Sequence, residues 1–422
     1  MKISKILFLL YIVLLPVMKG LELPIFESKI QYSDIVFAIF LLFFICESVK
    51  EKHKIRAPFV LPIVFLLVSF LISLIFSGCY FKEVIEYLGI VYLVVLFFAV
   101  SLLIKDEKYL RKCIRFWVLV SSSVCIIGFA GYIIGDLSGV VNIFTPQVEY
   151  VDKIACFPEG AQFYLRISST FRNPNMFASY LITSITFIFL IIRNKIMENK
   201  DGRLYIFILI LHLLAASLTK SRIIGPIFLL ATLCLFILYP AKKYILLKIP
   251  AVLLTSIFLI VSFMTLVFWV FPIQTKPFKI NTRKSEYFIL SESALKMWKD
   301  HPIVGVGLGR YNYNLNKYTD WDKVRKVLPD PDNIEWKSKD PHSMYLGWAS
   351  ETGILGLLAI LTFLCFNIKE SFRRGDTKII ALGIVVFLIA SFSVDILTMR
   401  HFWFLLGINA AGFLNKNKEL SL

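Results

Sequence analysis

Apolar runs of roughly twenty residues recur along the whole of this 422-residue chain, each long enough to cross a hydrocarbon core about 30 Å thick. Backbone that enters hydrocarbon must satisfy its own N–H and C=O groups, so each run is expected to be a helix. The fold class is therefore all-α, a polytopic helical membrane protein. The expected spans are approximately 3–19, 34–49, 58–76, 88–104, 116–135, 176–192, 204–219, 223–239, 250–271, 344–368, 379–397 and 402–415, which makes about twelve. With 58% hydrophobic residues, 18% charged residues and a mean hydropathy of +0.74, the composition excludes an ordinary soluble domain. The segment from Lys2 to Met18 has the basic start and apolar stretch of a signal peptide. No small-x-small cleavage site follows before Lys19, so it reads as a retained first span.

The formal net charge of +17 raises nucleic acid as a partner, but the placement of the charges points to a membrane. The loops 50–56 (Lys50, Lys52, Lys54, Arg56), 105–115 (Lys105, Lys108, Arg111, Lys112, Arg115), 193–203, 240–248 and 369–378 are short and basic. The positive-inside rule makes them cytoplasmic, and both termini with them. Membrane lipids are thus the expected surroundings, with no nucleic acid. Two longer segments then lie outside, 136–175 and about 272–343. The chain divides into residues 1–271 with spans one to nine, an outer loop at 272–343 between spans nine and ten, and residues 344–422 with spans ten to twelve. Between 272 and 343, thirteen Lys and Arg face nine Asp and Glu. Two readings are open, an anionic ligand or a long loop that translocates regardless of charge. Ser285 to Lys299 has the spacing of a surface helix, followed by the glycine-rich Gly305-Val306-Gly307-Leu308-Gly309 and the irregular Leu328-Pro329-Asp330-Pro331-Asp332. Seven scattered Cys residues show no short paired spacing, and Cys79 and Cys156 both fall on the outer side.

Three places on the outer face have chemistry worth following. In Thr219-Lys220-Ser221-Arg222 the turn between two apolar runs is so tight that Arg222 must sit at the head of the next helix. A guanidinium there suits a diphosphate, or simply reaches the interface. Pro341-His342-Ser343-Met344-Tyr345 closes the long loop and puts His342 at the lip of the tenth span, as a general base near neutrality or as an interfacial cap. Glu351, nine residues further on and roughly 13 Å deeper, reads as a packing partner. In Ser169-Thr170-Phe171-Arg172-Asn173-Pro174-Asn175, Arg172 and two asparagines offer donors to a sugar or phosphate, with Arg166 adding charge. A helix N-cap would also explain Asn175. Asp395 and Arg400-His401 suggest a structural pair, and His212 a histidine satisfied by a neighbouring helix.

In order and in kind these segments resemble the O-antigen ligase and polymerase superfamily. Arg172 to Asn175 looks like the family's Asn-Pro-Asn turn, Ser221-Arg222 like its Ser-Arg pair, and Asp300-His301-Pro302 through Gly305-Val306-Gly307 like its proline and glycine segment. Pro341 to Leu346 with Glu351-Thr352-Gly353-Ile354-Leu355-Gly356 looks like its most distinctive block. The resemblance covers the last sixty per cent or so of the chain and implies ten to twelve spans with one large periplasmic loop. It implies a metal-independent, inverting transfer in the bacterial inner membrane, with no cofactor. By it, His342 is the base, Arg222 a diphosphate ligand, and the partners are an undecaprenyl diphosphate-linked glycan donor and a lipid A core or glycan acceptor. A second family arginine falls at about Tyr287; here Arg283 stands one turn earlier, and Arg310 is the other candidate.

The expected function is an O-antigen ligase, which moves polysaccharide to lipid A core. The alternative is a polymerase, which joins carrier-linked repeat units. From another class, about twelve spans would suit a lipid-linked oligosaccharide transporter, which predicts repeated halves that this chain does not display.

Overall fold

A computed structural model describes residues 2–18, 30–50, 58–104, 106–138, 152–154, 162–164, 166–239, 282–327, 341–373 and 377–419, together with positions 249, 252, 253 and 256. Apart from positions 252, 253 and 256 the expected ninth span lies outside the described residues, as do the stretch Leu328–Asp332 and Cys156. Helices match the other expected spans: α1 (Ile3–Leu14), α2 (Tyr32–Lys50), α3 (Val60–Ser77), α4 (Phe81–Leu103), α5 (Glu107–Ser138), α6 (Pro174–Met197), α7 (Arg203–Leu218) and α8 (Ile224–Leu238). The stretch between the eighth and tenth expected spans contributes α9 (Thr282–Asp300), α10 (Tyr311–Tyr318) and α11 (Trp321–Val327). The chain then forms α12 (Met344–Arg373), α13 (Lys378–Ala390) and α14 (Arg400–Glu419). Six of these, α2 to α6 and α12, are long and apolar enough to cross a membrane. Between α5 and α6, β1 (Asp152–Ile154) and β2 (Gln162–Tyr164) pair antiparallel with Lys153 opposite Phe163, a ribbon too small to alter the all-α class.

Several boundaries differ from expectation: the first span ends at Leu14 instead of 19, and the fifth begins at Glu107 instead of 116. The fourth span begins at Phe81 instead of 88, because Glu83 and Glu86 are inside the helix and Glu83 is buried with a basic partner. The eleventh stops at Ala390 instead of 397, where Ser391, Ser393 and Asp395 turn the chain.

The middle of the bundle is α6, which is buried along most of its length and packs against α5, α7, α8, α13 and α14. Its polar residues are satisfied both along the helix and across it: Ser184 and Thr186 donate to carbonyls one turn back, Ser184 also accepts from Trp117 Nε1 at 3.1 Å, and Thr183 Oγ1 donates to the His401 carbonyl at 3.3 Å. Small residues allow close packing, as where Gly383 on α13 faces Thr186. Aromatic rings fill the interior, with Trp117 between Phe404, Tyr180 and Phe187 at 4.6–5.6 Å. Exposed side chains such as Leu42, Leu61 and Phe76 belong on a face turned to lipid. The helices α9 to α11 share a separate small core of Ile289, Leu290, Met297, Tyr311, Leu315 and Val324, so the helix expected over Ser285–Lys299 forms as part of a folded unit.

Candidate active site

At the N-terminal end of α6 the sequence Asn173-Pro174-Asn175 divides its labour. Pro174 takes the first helical position, where its missing N–H costs nothing, and Asn173 is the N-cap, accepting from the Met176 amide at 2.8 Å. Asn173, not Asn175, is thus the cap, and Asn175 turns its side chain elsewhere. Its Oδ1 accepts from Ser221 Oγ at 2.8 Å and from an Arg166 Nη at 3.4 Å. Arg166 Nε also donates to the Thr219 carbonyl at 2.8 Å, and the Ile167 amide donates to Leu218 O at 3.1 Å. Two segments singled out separately in the sequence therefore meet.

The Thr219–Ile223 turn is held from within as well. Lys220 is left-handed, with φ 48°, Thr219 is fully buried, and Ser221 Oγ accepts from the Ile223 amide at 3.3 Å. Arg222 follows directly, half-buried, two residues before α8. Arg172 is exposed.

His342 ends the long loop two residues before α12 begins. It is half-buried, with φ 52°, a left-handed backbone that few residues other than glycine adopt. The helix it introduces is anchored to the end of α13: the Met344 amide donates to Ser391 O at 3.0 Å and Tyr345 Oη to Leu388 O at 2.7 Å. Trp348 Nε1 donates to Asp395 at 3.2 Å and stacks on Phe70 of α3 at 4.9 Å. Asp395 therefore serves α12. Arg400 pairs instead with Asp34 of α2 through two bonds of 2.9 and 2.7 Å, overturning the expected Asp395–Arg400 pair. His212 is satisfied as expected, by Ser121 of α5 at 2.9 Å and Ile208 O at 2.8 Å.

Eleven residues beyond His342, α12 breaks. Gly353 has φ 64° and ψ −165°, a conformation essentially confined to glycine. A break inside a membrane-spanning helix strands backbone groups that lipid cannot satisfy. Residues 302–307 supply the partners. Val306 and Gly307 amides donate to Ser350 O and Glu351 O at 2.8 and 3.0 Å, while Ile354 and Leu355 amides donate to Pro302 O and Ile303 O at 2.8 and 3.2 Å. The main chains lie so close that a Cβ on Gly353 would sit 2.2 Å from Ile303 O, and one on Gly305 2.2 Å from the Glu351 carbonyl carbon. The proline and glycine segment and the Glu-Thr-Gly block are thus two halves of one junction.

Glu351 completes that junction. Its carboxylate accepts from the Gly309 and Tyr311 amides at 3.0 and 3.1 Å, capping α10, so its partner is the segment that bears α9 to α11 more than another helix of the bundle. Between those two amides stands Arg310, whose Nε donates to the buried Glu83 of α4 at 2.5 Å and whose guanidinium lies 4.7 Å from the Tyr80 ring. Sequence reasoning missed Glu83; the signal was a carboxylate at the outer edge of an apolar run, where an unpaired charge is disfavoured. Arg283 falls in the first turn of α9, and its side chain lies outside what the structure describes.

Residues 204–361, from the start of α7 to the middle of α12, match the family model described as O-antigen ligase. That stretch of the chain is similar to an O-antigen ligase domain. That domain includes Arg222, Arg283, Arg310, His342 and Glu351, while Arg172 and Asn175 precede it. A search of curated proteins finds no match to the chain. A ligase- or polymerase-type activity in a multi-pass membrane protein, with a lipid-linked glycan and an acceptor as partners, follows at that general level from the O-antigen ligase family and the apolar helices.

Proposed function

We propose that the protein is a metal-independent, inverting glycosyltransferase that moves a polysaccharide from undecaprenyl diphosphate to lipid A core. In this reading it works at the periplasmic face of the bacterial inner membrane, with both termini cytoplasmic and residues 272–343 as the large periplasmic loop. One observation carries it. The Asn175–Ser221 hydrogen bond joins a turn outside the O-antigen ligase domain to the turn that bears Arg222, in the domain that also holds His342.

His342 removes the proton from the acceptor hydroxyl, the oxygen attacks the anomeric carbon, and the diphosphate leaves from the opposite face with inversion. General-base help of this kind is worth about 10²–10⁴ in rate. Charge accumulates on the departing diphosphate, where Arg222, with Arg172 and Arg283 as further donors, offers paired hydrogen bonds to its oxygens. Guanidinium groups thereby take the part that a divalent cation plays in other transferases. Arg310, its Nε held by Glu83, is assigned to fixing the loop over the bundle.

The test is a deletion strain complemented with wild type or His342→Ala at equal membrane abundance, read on a lipopolysaccharide gel beside the carrier-linked glycan pool. The expected variant phenotype is lipid A core without polymer and long chains accumulating on the carrier. Single repeat units on the core would make the enzyme a polymerase. Normal surface glycan would remove His342 as the base.

A further inference from the structure

The candidate active site occupies one end of the bundle, and α6, with 24 residues, separates it from the other end by roughly 36 Å. At that far end, the N-terminal end of α5 and the C-terminal end of α6 form a shallow cleft open to its surroundings. Its polar wall is Arg111, Arg115, Lys195 and Glu198, and its floor includes Ile114 and Leu190.

The charges in the cleft are of two kinds. Arg111 is neutralised, bridging Glu198 and, at 2.7 Å, Glu107. Lys200 and Arg111 hold the Glu198 carboxyl down to about 2, so the pair stays ionised at any ordinary pH. Arg115 and Lys195 have no acidic partner among the described residues. Two uncompensated cations therefore line a cleft beside a closed ion pair.

A second observation says what they face. Arg115, Leu119 and Ile126 lie within about 40° of one another around α5, and the stripe runs about 17 Å along it, close to one leaflet of a core about 30 Å thick. Leu119 and Ile126 are 63% and 58% exposed. A cation at the interface followed by an open apolar track matches a ligand with an anionic head and hydrocarbon tails. The positive-inside rule puts this basic end at the cytoplasmic leaflet, where such lipids are recognised by basic pockets between helices.

We propose that the cleft between α5 and α6 binds the phosphodiester headgroup of an anionic phospholipid, with Arg115 and Lys195 on the phosphate and the acyl chains along Leu119 and Ile126.

Native mass spectrometry of the full chain, purified in detergent and offered phosphatidylglycerol and phosphatidylcholine, tests this. Wild type is expected to retain phosphatidylglycerol preferentially, and the Arg115→Gln, Lys195→Gln double variant to lose about thirtyfold of that preference, at about fivefold per cation. Lys108→Gln, an exposed charge at the same end of α5, is expected to change little. An undiminished preference in the double variant, or an equal loss in Lys108→Gln, overturns the site. Inorganic phosphate in large excess is expected to leave the lipid in place. Displacement would make the cleft a free-anion site and overturn the assignment to lipid.

Discussion

Two joints organise the candidate site, and they are built from different materials. Where α12 breaks at Gly353, main chain meets main chain through four amide–carbonyl bonds. Where α6 meets the α7–α8 turn, Asn175 meets Ser221 side chain to side chain, with Arg166 reinforcing the contact. A backbone joint tolerates almost no substitution at its glycines but says little about the residues flanking them. A side-chain joint can be adjusted one atom at a time. The first suits the attachment of a whole unit, α9 to α11, to the bundle; the second suits the fine placement of Arg222.

That contrast makes ordered predictions. Gly353→Ala should do the most damage, about 2–6 kcal/mol, combining an unfavourable backbone conformation with overpacking against Ile303 O. Thermal unfolding of the purified protein would show it, and a stable variant would mean that the joint yields. Arg310→Met should cost about 3–5 kcal/mol, because it strands Glu83, which is only 2% exposed. If its stability is unchanged while donor affinity falls, Arg310 is a substrate ligand and not a loop anchor. Glu351→Gln keeps one acceptor and loses the other, so about 1–3 kcal/mol should disappear. Hydrogen exchange should then rise at Gly309 or Tyr311 and remain low in α6. Smallest is the Asn175→Ala, Ser221→Ala double-mutant cycle, with a coupling near 1 kcal/mol in stability. In that pair glycan transfer should fall further than stability does; equal falls would make the joint merely structural.

Much of the bundle was legible because hydropathy is a local property. Each apolar run declares itself within its own twenty residues, and α2, α3, α6, α7 and α8 follow the expected bounds within a few positions. Charges at helix ends were less legible. Glu83 looks like loop when its partner, Arg310, is 227 positions away. Arg400 looks like the partner of Asp395, five residues off, until the fold brings Asp34 closer. Around the candidate site the sequence separated the right segments without showing how they pair. The glycines of 305–309 and Gly353 signal unusual backbone, but only the fold reveals that each half answers hydrogen-bonding groups exposed by the other.

The Arg400–Asp34 pair adds a dimension of time. Asp34 is synthesised 366 residues before Arg400, a wait of about 20–70 s at ordinary translation rates. Tyr92, 58 residues along, donates to the same carboxylate at 2.8 Å and is made far sooner. The carboxylate therefore acquires its hydrogen-bond donor early and its counter-charge late, when α14 arrives against α2 and α4. Bundle assembly is in this respect ratcheted: the opening helices carry an electrostatic debt that only α14 discharges, and a nascent chain stalled before it keeps a half-buried anion as the mark of its incompleteness.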